Sequence, residues 1–316
     1  MSSAKPSDVK QTASLAIDAA GLRFQNPVLL ASGTAGYGRE LAGVMDLDRL
    51  GGLVTKAVSV EPRNGNPAPR VAEFPGGMLN AIGLANPGLD AVRRDALPWL
   101  AGHLHEARVL VNVVGNTTDD FVAVVSGLAE VPGFSAYELN VSCPNVKCGG
   151  MEFGADRGIL GELVAAVRRA TKKPIFVKLS PTLTDIGETA NAAVGAGADG
   201  ITVVNTIPGL IIDTETRTPA LGFGTGGVSG AAILPIGVLA TYRVAKAVSV
   251  PIIGVGGVAR PDDVVQYLLA GASLVAVGTA ALKDPRVPER LVRGLAEWCD
   301  RHGVGSLTDI IGGVRA

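Results

Sequence analysis

Short apolar, β-branched runs recur along the chain, each entered through Gly or Pro and each followed by turn residues and a stretch of helical periodicity. They read PVLLAS from residue 27, GLVTKA from 52, RVLVNVV from 108, YELNVS from 137, IFVKLS from 175, GITVVN from 200, PIIGVGG from 251 and LVAVGT from 274. Most are nearly continuous in apolar residues, as strands buried on both faces of a parallel sheet must be. The segments between them fit amphipathic helices. In DRGILGELVAAVRRATKK, for instance, Asp156 stands near the start and Arg168, Arg169, Lys172 and Lys173 near the end, each sign facing the favourable pole of the helix dipole. Eight strand-helix units predict an α/β fold of the TIM (β/α)8 barrel type. Two connections are too long for ordinary loops, 57–88 after the second strand and 206–233 after the sixth. Both leave C-terminal strand ends, the active face of such a barrel, and so read as substrate walls or lids.

Composition narrows the function. Of 316 residues, 47% are hydrophobic and 18% charged, the formal net charge is −1, and no basic run stands out. That removes the electrostatic footprint of a nucleic-acid or anionic-membrane binder and leaves a small-molecule partner. Cys143, Cys148 and Cys299 are too few for a disulfide framework and suggest a reducing compartment. The first residues lack the basic flank and apolar core of a signal peptide, so a cytoplasmic location is expected. The uncharged stretch from Thr218 to Tyr242 has the length of a membrane span, but its six glycines, Pro219 and Pro235 argue against one continuous helix. Two strings fit the dinucleotide pattern G-x-G-x-x-G, GAGADG from 195 and GFGTGG from 222. Neither follows a strand and opens a helix, as that motif requires.

The chemistry gathers at the predicted strand ends. Gly256 and Gly257 close the seventh strand, and Gly278 with Thr279 closes the eighth, where barrels of this type often bind phosphate through exposed backbone N–H groups. Simple turn roles would also account for these glycines. The remaining strand ends carry Ser32, Lys56, Asn112, Asn140, Cys143, Lys178, Asn205 and Thr206. There is no carboxylate cluster, no histidine and no metal-ligand set among them. Amides that offer both donor and acceptor suit the edge of a heterocycle such as a flavin or a pyrimidine. The lysines can stabilise negative charge on a ring or a carboxylate, or can simply reach from a strand end to water. Cys143 lies in a loop before Pro144 and is the best available base, although a free cysteine is often only a small buried hydrophobe.

Joined with further motifs, these residues resemble the class 1 dihydroorotate dehydrogenases. The similarity runs through ASGT at 31, TKAVS at 55, NAIGLANPG at 80, VNVVGN at 111, ELNVSCPNVK at 138, VKLSP at 177, VVNT at 203, GGVSG at 226, GVGG at 254 and VGT at 277. It implies one FMN per chain, with Gly256, Gly257, Gly278 and Thr279 at the phosphate. Ser32, Lys56, Ala57, Asn112, Asn140, Lys178, Val204 and Gly230 would surround the ring and ribityl chain. Dihydroorotate would be held by Lys56, Asn80, Ala81, Ile82, Gly83, Leu84, Asn140, Asn205 and Thr206. Cys143 would take the proton from C5 as hydride leaves C6 for the flavin, giving orotate in pyrimidine biosynthesis. The segment SCPNVKCGG is most similar to the NAD-linked class 1B form, whose partner subunit carries FAD and a 2Fe–2S cluster; this implies a homodimer within a heterotetramer. The fumarate-linked class 1A form is the alternative, and a non-redox phosphate-binding isomerase or synthase a more distant one. Residues 1–20 are expected to be a disordered extension, with one FMN-binding barrel domain over 21–316.

Overall fold

The structure is a computed structural model that describes residues 13–142, 144–145 and 151–315. Eight parallel strands close into a barrel: β1 (Val28–Leu30), β2 (Gly52–Val54), β3 (Arg108–Val113), β4 (Ala136–Asn140), β5 (Ile175–Leu179), β6 (Gly200–Val203), β7 (Ile252–Val255) and β8 (Leu274–Val277). Each pairs with its neighbours in chain order, and β8 pairs with β1 to complete the ring. All eight fall in the apolar runs of the sequence. Every residue of β1, β4 and β5 is buried, which is why these runs show no alternation.

The surrounding helices are α1 (Arg39–Ala42), α2 (Leu97–His103), α3 (Thr118–Gly127), α4 (Arg157–Ala170), α5 (Ile186–Gly195), α6 (Leu234–Ala247), α7 (Pro261–Leu269) and α8 (Val287–His302). Local chemistry fixes their starts. Thr117 and Asp120 form a capping box on α3, and the side chains of Asp156 and Asp185 accept backbone N–H groups at the starts of α4 and α5. In α8, Val287, Leu291, Leu295 and Cys299 recur every fourth residue and are buried, and Gly303 ends the helix in a left-handed conformation at φ 63°. Burial, reinforced by the charge of Asp300, pushes the Cys299 thiol up, so this cysteine belongs to the core and not to the chemistry. No helix among the described residues is long and apolar enough to cross a membrane; the uncharged stretch 218–242 contributes two short strands, a turn and most of α6.

Disorder was expected through residue 20, yet Ile17–Ala19 pairs with Leu22–Phe24 as an antiparallel hairpin, and Ile17, Ala19 and Phe24 are buried in the core. Ser14 exchanges backbone bonds with the C-terminal segment, donating to Gly305 O and accepting from Leu307 N. The packed domain therefore includes residues 13–20; residues 1–12 lie outside the described part. The hairpin lies at the N-terminal strand ends, where Arg108, the first residue of β3, donates to Arg23 O and Gln25 donates to Leu50 O.

At the opposite end the two long insertions meet. Val71–Phe74 and Gly77–Asn80, from the connection after β2, join Ile207–Gly209 and Gly226–Ser229, from the connection after β6, in one four-stranded antiparallel sheet. Its central contact pairs Gly227 with Asn80 and Val228 with Leu79. Leu79, Ala81 and Leu221 form a small separate core beneath it. Asn86 anchors the first insertion from within: its Oδ1 accepts from Ser59 N at 3.3 Å and Gly88 N at 2.9 Å, and its Nδ2 donates to Leu84 O at 2.8 Å. Truncating Asn86 strands buried backbone donors, at a cost of about 1–3 kcal/mol each. Asn86→Ala should therefore lower the thermal midpoint measurably, whereas substitution of the exposed Glu61 nearby should not.

Candidate active site

The C-terminal strand ends bring most of the sequence-predicted residues together. Lys178, on β5, is 7% exposed in its side chain, and its Nζ donates to Ser32 Oγ beyond β1 at 3.3 Å. The same ammonium lies 3.8 Å from Oε1 of Glu138 on β4, and that oxygen accepts from Asn112 Nδ2 on β3 at 2.7 Å. Four strands are thus linked through the barrel interior by side chains alone. On the adjoining side Asn205 Nδ2 donates to Asn140 Oδ1 at 3.3 Å, while Asn205 Oδ1 accepts from the N–H of Thr206 at 2.9 Å. Thr202, which pairs in register with Lys178, has a buried hydroxyl without a hydrogen-bond partner among the described residues.

Lys56 is held by its backbone. Its N–H donates to Gly36 O at 2.7 Å, its carbonyl accepts from Thr55 Oγ1, and the following residue, Ala57, accepts from Tyr37 OH at 2.8 Å. Burial first and the nearby Glu40 charge second push the Tyr37 phenol above its ordinary range, so it remains a donor. Ala57 packs with Val114 and Leu84, which ties the segment from Asn80 to Leu84 to the ends of β2 and β3. Within that segment Asn66 bonds the carbonyls of Ala81 and Ile82, and Gly83 adopts φ 70°. Asn80 Nδ2 donates to Gly227 O at 3.2 Å, joining this wall to the other insertion.

The glycine loops after β7 and β8 differ in what they require. Gly256 and Gly257 have φ 128° and 77°, and a Cβ on Gly257 would stand 2.6 Å from the backbone N of Leu234, where α6 begins. Tyr267, fully buried on α7, braces this loop: its hydroxyl donates to Gly256 O at 2.7 Å, and its ring lies so close to Gly254 that a Cβ there would approach to 2.3 Å. Burial, with the Asp263 charge adding, pushes this phenol well above its usual range and keeps it a donor. Gly278 has φ −115°, and a Cβ on it would fall 3.7 Å from Ala31, so protein packing does not demand glycine there. Thr279 Oγ1 donates to Ser229 Oγ at 2.8 Å, and Ser229 bonds Met78 O, so the eighth strand end is sewn to the insertion sheet. Gly230 has φ 98°, and a Cβ on it would come within 2.7 Å of Gly77.

These features suit a flat, anionic ligand with a phosphate: glycine loops whose backbone a phosphate can approach closely, a buried ammonium, and amides with both donor and acceptor atoms. Cys143 and Cys148 lie outside the described residues. Beside that segment, Glu152 is half-buried; burial raises its carboxyl pKa and a hydrogen bond from Ser180 partly opposes this. The sequence reading missed Glu138, Ser229 and Tyr267. A single charge inside the apolar run YELNVS was the available signal for Glu138, and the motif GGVSG was the signal for Ser229; Tyr267 carried none. Gly257→Ala, with strain of about 1–2 kcal/mol at a positive φ and a clash at Leu234, should lower the thermal midpoint of the protein measurably, read by calorimetry.

Comparison with known sequences agrees with this geometry. The family profile described as dihydroorotate dehydrogenase matches residues 14–298. The chain is 45% identical over 298 residues, 94% of its length and 97% of the relative's, to the dihydroorotate dehydrogenase B (NAD(+)) catalytic subunit of Pelobacter propionicus. Proteins of the same name from Geobacillus kaustophilus and Cutibacterium acnes are 47% and 46% identical, again over 94% of this chain and over 95% and 96% of theirs. On a profile that spans most of its length and on relatives this similar from end to end, the chain belongs to the dihydroorotate dehydrogenase family.

Proposed function

We propose that this chain is the FMN-bearing catalytic subunit of an NAD-linked dihydroorotate dehydrogenase, acting in the cytoplasm in pyrimidine biosynthesis. The observation that carries the reading is the convergence of Ser32, Asn112, Asn140 and Lys178 with two glycine loops at one barrel mouth, in a chain of this family. The names of the relatives support the NAD-linked form over the fumarate-linked one, and the phrase "catalytic subunit" in them supports a second subunit.

In this reading the backbone N–H groups of Gly256, Gly257, Gly278 and Thr279 bind the phosphate of FMN. Ser32, Lys56, Ala57, Asn112, Asn140, Lys178, Val204 and Gly230 hold its ring and ribityl chain. When bound, FMN supplies the acceptor for the hydride from C6 of dihydroorotate. The chain's own residues do the rest. Asn140, Asn205 and Thr206 orient the pyrimidine ring, with the two amides already bonded to each other and the backbone N–H of Thr206 donating to Asn205, while Lys56 pairs with its carboxylate and Asn80 to Leu84 form the wall behind it. Cys143 takes the proton from C5. A partner carrying FAD and a 2Fe–2S cluster would supply the onward path to NAD, with the catalytic chains paired as a homodimer inside a heterotetramer.

Two outcomes follow. The isolated chain should copurify with FMN and oxidise dihydroorotate with an artificial dye, but not with NAD or fumarate; direct NAD activity of the isolated chain would contradict the need for a partner, and a colourless protein that takes up no FMN would contradict the reading itself. Cys143→Ser should lose at least ~100-fold in turnover near neutral pH, as expected when a general base is weakened, while still quenching flavin fluorescence on orotate addition; unchanged turnover would remove Cys143 from the mechanism.

A further inference from the structure

Glu138 is 1% exposed, in the middle of a strand whose every residue is buried. A carboxylate there is costly, and the fold does not need it: a well-packed apolar side chain usually serves a barrel interior at least as well as a buried ion pair. Its contacts are specific nonetheless. Oε1 accepts from Asn112 Nδ2 at 2.7 Å and faces Lys178 Nζ at 3.8 Å, and Lys178 in turn donates to Ser32 Oγ at 3.3 Å. Three of these four residues are the ones assigned above to the flavin ring. Glu138 is not among the residues assigned to the ring and would bear on it through these partners.

We propose that Glu138 is a positioning residue that holds Lys178 and Asn112 in place and offsets the Lys178 charge, so that the bound flavin is kept at a lower reduction potential than the lysine alone would give. The inference rests on the FMN reading of the site. A lone buried ammonium beside the ring would strongly favour the negative charge that reduction places there. Electrons so held leave reluctantly, whereas a chain that feeds a pyridine-nucleotide acceptor must release them. A carboxylate 3.8 Å from the ammonium reduces the net positive charge facing the ring while leaving its hydrogen-bonding N–H groups in position.

The test is the midpoint potential of bound flavin in the purified FMN-loaded protein, measured by reductive titration against a reference dye. Glu138→Gln keeps the shape and an acceptor for Asn112 but removes the charge; the potential should move upward with FMN still bound one per chain. Glu138→Asp restores the charge slightly further away, and its shift should be less than half that of the glutamine variant. An unchanged potential in Glu138→Gln, or equal shifts in both variants, overturns the proposal. Should Glu138→Gln fail to fold, Glu138→Met provides the same test; failure of both would make Glu138 a structural residue and likewise overturn it. Failure of the wild-type chain to bind FMN sinks the flavin reading instead, and is distinguished by the flavin absorbance before any titration.

Discussion

A lysine ammonium buried inside a barrel needs compensating partners, and around Lys178 those partners define the site. Its side chain is 7% exposed, so its charge is sustained by Glu138 and Ser32 and not by water. Glu138, itself buried, is sustained in turn by Asn112. These polar groups can exist in such a place only because parallel strands on either side hold their backbones rigid and their remaining faces dry. The requirement runs both ways, since the same dryness strengthens every charge and dipole that a bound ring would meet.

The two insertions complete that environment from above. Their pairing as one antiparallel sheet couples the connection after β2 to the connection after β6, so the wall from Asn80 to Leu84 and the loop leading to Gly230 are parts of a single element. Ser229 and Thr279 then tie this sheet to the eighth strand end. Tyr267 does the corresponding work on the outer side, bracing Gly256 from α7. The region that would hold the phosphate is therefore fixed from two directions, while the region that would hold the pyrimidine ring is bordered by amides already bonded to one another.

Much of this was legible in the sequence, for physical reasons. Parallel strands buried on both faces leave unbroken apolar runs, so all eight barrel strands could be read, and the polar residues at their ends follow from the geometry of the fold. The excess length of the two insertions was visible too. Their mutual pairing was not, because antiparallel register between Leu79 and Val228 depends on contacts nearly half the chain apart. Glu138 was hidden for another reason: a charge in an apolar run reads as an interruption until its partners on two neighbouring strands are seen. The N-terminal hairpin was misjudged because its strands are three residues each and gain their order from packing against the core. The thiol at Cys143 was singled out by its motif, and its segment lies outside the described residues.

The central proposal is that the buried side chains of Asn112, Asn140 and Lys178, with the half-buried Ser32, face a flavin whose phosphate rests on the two glycine loops. A crystal structure of the protein loaded with FMN and orotate tests it most directly. The account predicts the ring within hydrogen-bond distance of those side chains, the phosphate on the N–H groups of Gly257 and Gly278, and orotate between the ring and the loop that carries Cys143. A flavin seated elsewhere on the barrel, or one that meets the mouth without contact to Lys178, would contradict it.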